Sequence, residues 1–242
     1  MIGRIIWFAT LAAVGLLTAG LQLDKQSEAA PVLAPLVPGP LRNFAQTRIA
    51  AEAAENGDPA VAVAEAERLV RRRPIPAEYL STLAVAQAKA GQAEAAGITI
   101  QMAGKRGWRA PVAQEAVLRL ALDAGDQAEA ARRYAALFLR NTTPDELLRE
   151  LGPAVLGEPG GAGQRTMADI VAGGERWHES FLQRGPQVMP PAAFAAITAR
   201  AIKQGAIFDC TLLEQSISAV EQRDAGAAAP LRAASTKECR AS

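Results

Sequence analysis

Two cysteines and one histidine in 242 residues are too few soft ligands for a Cys/His zinc site, an iron–sulfur cluster or a c-type haem attachment, so no metal and no cofactor is expected. A charge surplus is also missing. With 26 Lys and Arg against 25 Asp and Glu the net charge is +1, and bulk electrostatics does not hold such a chain to nucleic acid. Aromatics are scarce, with three Trp, two Tyr and six Phe against 54 alanines, a composition that excludes an all-β fold and predicts an all-α one. The GGAG run at 160–163 lacks the Lys-Ser or Lys-Thr of a phosphate cradle and reads as a loop.

What is present begins with an uncharged run. Residues 5–23, IIWFATLAAVGLLTAGLQL, would extend about 28 Å as a helix, close to the thickness of a bilayer's hydrocarbon. Arg4 precedes the run and Asp24, Lys25 and Glu28 follow it. This predicts a signal-anchor over 1–23, with the N-terminus cytoplasmic and the bulk of the chain outside. A cleaved leader is the competing reading, with small residues at Thr18 and Gly20 or at Ser27 and Ala29 in suitable places. Residues 24–42 carry Pro31, Pro35, Pro38 and Pro40 and are expected to form an extended stand-off linker.

A period follows. Gly57, Gly91 and Gly125 recur with a 34-residue period, each between two alanine-rich helical segments, where glycine supplies the backbone freedom that ends one helix and starts the next. Residues 43–144 therefore read as three helical hairpins, each with an apolar stripe too narrow to fold alone. In length and layout they resemble the tetratricopeptide repeat. That family's small second-helix residue falls on Ala62, Ala96 and Ala130, its larger core position on Ala66, Ile100 and Tyr134, and its next on Leu69, Ala103 and Leu137. The closing proline survives only as Pro74, and the first-helix aromatic is replaced by Gln46, Leu80 and Gln114. The resemblance is confined to 43–144 and implies an αα-hairpin solenoid. Residues 145–223 are expected to form a helical C-terminal subdomain capping the last repeat, with helices over 166–171, 175–182, 192–204 and 210–222. There Asp145–Val155 should begin like a fourth repeat capped by Thr142 or Thr143, with Pro153 and the EPGGAGQ run ending the period, and 224–242 should be a flexible tail.

Candidate sites are few. His178 lies beside Ser180, but adjacent helical residues cannot face each other as nucleophile and base, and no G-x-S-x-G elbow surrounds the serine. It is expected to be a surface histidine. Arg71, Arg72, Arg73, Lys105, Arg106, Arg109 and Arg140 recur near the ends of second helices, which suggests a basic ridge for anionic headgroups, an acidic glycan or an acidic partner. The plain alternative is that cations favour helix C-termini. In the resembled family the first helices line a peptide groove. The matching positions here are Glu78, Ser81, Val85 and Lys89, and Glu115, Arg119, Leu122 and Asp123. Cys210 and Cys239 are candidates for a disulfide in an oxidising exterior.

Together these features lead to one expectation. The chain is a non-catalytic adaptor on the bacterial inner membrane, held by its N-terminal helix, with its bulk in the periplasm and protein partners in the cell envelope. An anionic glycan-binding module and an envelope hydrolase centred on His178 are the rivals.

Overall fold

Alanine-rich segments punctuated by glycine and proline become thirteen α-helices, with no strand among the described residues, in the computed structural model, which describes residues 2–239. Met1 and residues 240–242, the ends of the expected anchor and tail, lie outside the described residues. The chain divides into two units, Met1–Gly107 and Trp108–Ser242. The helices pack on one another in a manner consistent with a helical repeat solenoid.

The first unit begins with α1 (Ile2–Gln26), long and apolar enough to cross a membrane, with every residue from Ile2 to Ala19 exposed. The expected extended linker is absent. Helix α1 runs on past Leu23, and residues Pro31–Leu36 and Gly39–Leu41 form two 3-10 turns. Their buried Ala34 and Val37 pack with Ala45, Leu23, Leu41 and Ile49. Proline at the start of a short turn costs no hydrogen bond, because the first amides of a helix lack partners in any case. The prolines therefore permit these turns while forbidding a longer helix.

Two hairpins follow, α2 (Phe44–Asn56) with α3 (Pro59–Arg72), and α4 (Ala77–Lys89) with α5 (Ala93–Arg106); α3 also packs on α4. Ala62, Ala66 and Leu69 of α3 and Ala96, Ile100 and Ala103 of α5 are buried, the positions that the repeat period singles out. Methyl side chains at these crossings let the helix backbones approach closely. The two turns differ. Gly91 adopts φ +74°, and Gln92 N–H reaches back to Gln87 O at 2.9 Å, a left-handed helix stop. Gly57 is not left-handed, having φ −89°; glycine is needed there because a Cβ would lie 2.7 Å from Ala53 O.

The second unit joins the third hairpin, α6 (Pro111–Asp123) with α7 (Gln127–Phe138), to six further helices around one core. These are α8 (Asp145–Leu156), α9 (Ala162–Ala172), α10 (His178–Val188), α11 (Pro191–Lys203), α12 (Cys210–Arg223) and α13 (Ala225–Glu238). Gly125 has φ +73° and repeats the Gly91 turn, with Asp126 N–H donating to Ala121 O. Tyr134 is fully buried, its hydroxyl donating to Leu148 O at 3.1 Å, and burial pushes the phenol well above its ordinary range. Phe181 makes ring contacts with Phe138, Phe194 and Phe208 in this core.

Three expectations are corrected here. The expected segment from Asp145 is α8, but its N-cap residue is Pro144, and neither Thr142 nor Thr143 caps it. Residues 175–182 do not form one helix, since a 3-10 turn over Glu175–Trp177 precedes α10. The expected flexible tail is α13, whose Ala228 and Leu231 are buried in the unit's core. Cys239 at its end is bonded to Cys210 at the start of α12.

Candidate functional site

The junction between α1 and the first hairpin rests on one carboxylate. Asn43 stands at the N-cap of α2, but its side chain makes no capping bond. The capping acceptor comes instead from Asp24, near the end of α1 and only 3 % exposed. Its Oδ1 accepts from the amides of Asn43 (2.8 Å) and Ala45 (2.9 Å), and its Oδ2 from Phe44 (3.1 Å). Three amides and the positive end of a helix compensate this buried charge. Around it Arg48 Nη2 donates to Glu28 O at 2.7 Å, and the buried Ser27 hydroxyl donates to Asp24 O. Helix α1 is thus bolted to α2 rather than tethered through a flexible spacer. Sequence reading missed this because the bond joins Asp24 to amides on the far side of a proline-rich segment; Asp24 registered only as a flanking charge.

The expected basic ridge resolves into two kinds of residue. Arg72, Arg106 and Arg140 follow the same period as the glycines, and each donates from its guanidinium to a backbone carbonyl just before the first helix of its own hairpin. The acceptors are Arg42 O for Arg72, Pro74 O for Arg106 (2.6 Å) and Arg109 O for Arg140. Arg72 also reaches Gly39 O at 2.7 Å. These arginines clasp the two open ends of a hairpin together and are occupied by that task. Arg71 pairs with Glu67 at 3.0 Å, Arg73 lies over the rings of Phe44 and Tyr79, and Arg109 lies over Trp108. Lys105 is exposed at the end of α5.

The groove positions divide in the same way. In the first unit Glu78 and Val85 are exposed on α4. Ser81 is buried and donates to Ala77 O, and Lys89 Nζ donates to Ala54 O (2.5 Å) and Glu55 O (3.0 Å), tying down the C-terminal carbonyls of α2. Ser81 is therefore internal to the fold, whereas Lys89 is exposed with its ammonium engaged by the end of α2. Ile98 and Met102, one turn apart on α5, are exposed apolar side chains that the sequence reading did not single out. In the second unit Arg119 joins Glu115 (2.9 Å) and Glu150 (3.1 Å) in a surface network, and the hydrogen bonds that it donates to these two carboxylates hold its guanidinium above the usual range. Leu122 packs against the core, while Asp123 is exposed.

His178 is not on the surface. It is 7 % exposed, its Nδ1 lies 3.1 Å from Ile207 O and its Nε2 2.8 Å from Val171 O, and its ring is 4.5 Å from that of Phe208. Both nitrogens are engaged with the backbone, and the structure does not bring Ser180, which is exposed, to either of them. The ring is a strut between the end of α9 and the segment before α12. Among the described residues no group of three or more His, Cys, Asp or Glu side chains could hold a metal ion.

Neither a family model, a curated protein nor a solved structure matches this chain.

Proposed function

We propose that the chain is a single-pass inner-membrane protein whose tetratricopeptide-like hairpins stand in the periplasm as a non-catalytic adaptor for another envelope protein. The observation that carries this reading is the buried Asp24 cap, which couples an exposed apolar helix directly to the first hairpin. A helix that long and apolar has no covering among the described residues of its unit, and a bilayer supplies one. Arg4 before it and the balanced charge after it favour export of the C-terminal bulk. The Cys210–Cys239 bond suits an oxidising compartment.

The adaptor role is supported by how the hairpins use their residues. Period positions are occupied by core alanines and clasping arginines, leaving Val85, Ile98 and Met102 exposed on the first unit. Exposed apolar side chains amid polar ones suit contact with a partner helix or peptide. A C-terminal alkaline phosphatase fusion should be active and a fluorescent-protein fusion dark. Photo-cross-linking from Val85 or Ile98 in intact cells should yield one discrete adduct. Fluorescence of the C-terminal fusion would overturn the orientation; diffuse or absent adducts from Val85 and Ile98 alike would overturn the adaptor reading.

A further inference from the structure

Residues 31–41, PVLAPLVPGPL, contain no polar side chain. In the 3-10 turns Ala34 and Val37 point into the small core beside α1, which leaves Val32 79 % and Leu36 67 % exposed, with Pro35, Pro38 and Pro40 exposed beside them. This is an uncharged apolar surface on a segment packed directly against α1. Leu41 lies against α1 at Gly20, where an added Cβ would come within 2.5 Å of its Cδ1, and Leu23 joins the same cluster. From Ile2 to Gly20 α1 rises about 27 Å, close to the ~30 Å of a hydrocarbon core. The proline-rich turns therefore meet α1 at the depth where hydrocarbon gives way to headgroups.

The backbone of these turns is also prepared for leaving water. Pro31, Pro35, Pro38 and Pro40 carry no N–H that would need a partner. Arg42 Nε donates to Val37 O at 2.8 Å and its Nη2 to Pro35 O at 3.4 Å, while Arg72 donates to Gly39 O and Arg42 O. Carbonyls that water would otherwise hydrate are thus held by guanidinium groups, and unsatisfied backbone groups are what a segment entering lipid cannot tolerate.

We propose that residues 31–41 form an interfacial collar, with Val32, Leu36 and the exposed prolines immersed in the outer leaflet of the bilayer crossed by α1 and Arg42 and Arg72 at headgroup depth. The collar rests on the reading of α1 as an anchor. It fixes the height of the first hairpin above the bilayer at essentially zero, in place of a stand-off of several nanometres.

The test uses the full chain with its native disulfide, reconstituted in vesicles of phosphatidylethanolamine and phosphatidylglycerol. A single added cysteine carries an environment-sensitive dye: Leu36→Cys in the collar, Leu11→Cys in α1, and Val61→Cys, 52 % exposed in the first turn of α3, outside the collar. The dye at Leu36→Cys should be quenched by spin-labelled lipid and be at least three-fold less accessible to aqueous iodide than the dye at Val61→Cys. A chain that floats with the vesicles and buries the dye at Leu11→Cys, yet shows equal iodide quenching at Leu36→Cys and Val61→Cys, would overturn the collar and leave the anchor intact. A chain that fails to float would overturn the anchor, and the collar with it.

Discussion

The Oδ1 of Asp24 lies 2.9 Å from the amide of Ala45, and through that bond the end of one helix becomes the cap of another 21 residues later. Capping side chains usually stand at the N-cap itself and contribute about 1 kcal/mol, up to about 2 when buried. Replacing Asp24 with Ala should therefore destabilise the first unit by about 2 kcal/mol, and Asp24→Asn by less. Chemical denaturation in detergent, with limited proteolysis reporting on residues 24–44, would check the order; equal stability of wild type and Asp24→Ala would refute the cap's importance.

The arginine clasps predict unequal effects from like substitutions. Arg106→Ala removes a charged hydrogen bond to Pro74 O, and in its exposed setting should cost about 1 kcal/mol. Arg71→Ala removes only an exposed ion pair one turn away, worth less than about 0.5 kcal/mol. Melting temperatures of the two variants should differ in that order.

One chemical change should have opposite signs at two glycines. Gly97 lies within α5 with open space where a Cβ would be, so Gly97→Ala should stabilise by about 0.5–1 kcal/mol. Gly125 has φ +73°, and Gly125→Ala should destabilise by about 1–2 kcal/mol despite equally open space. Paired thermal melts would suffice, and two shifts of the same sign would contradict the turn geometry.

Acid sensitivity follows from Glu129. Burial works to raise its carboxyl, but hydrogen bonds from Arg132 and Arg133 outweigh burial and hold it below its ordinary value of 4.5. A depressed carboxyl contributes stability that is fully present above the unfolded value and is lost as pH falls through the folded one. The second unit should therefore weaken below about pH 4.5, and Glu129→Gln should flatten that part of the curve while lowering stability at neutral pH. Denaturation midpoints between pH 3 and 7 give the measurement.

Reduction of Cys210–Cys239 opens a loop of 29 residues, and loop-closure entropy puts the loss at about 3.6 kcal/mol. Thiol reductant should lower the melting temperature of the second unit and increase proteolysis within α13 before α12. Unchanged melting on full reduction would show that α13 is held by Ala228 and Leu231 alone.

The helical class and the hairpin register were legible because Gly57, Gly91 and Gly125 recur at one interval and small residues fall at the crossings, signals carried by local sequence. The proline-rich segment misled. Proline density excludes a long helix but not two short turns, and burial of Ala34 and Val37 decides between them. Helix α13 was hidden because its core contacts are made by Ala228 and Leu231 in an alanine-rich run, where a buried alanine looks like an exposed one. His178 was placed on the surface because its partners are the carbonyls of Val171 and Ile207, which no side-chain pattern announces. The arginine period was visible as charge, and its use was not, since a guanidinium seeking a carbonyl reads in sequence like one facing water.

Because Arg72, Arg106 and Arg140 each lock the hairpin that they terminate, every repeat block carries its own latch. Each hairpin is thereby closed by an arginine of its own, and an insertion within a block would part that arginine from its carbonyl while leaving the other two latches shut.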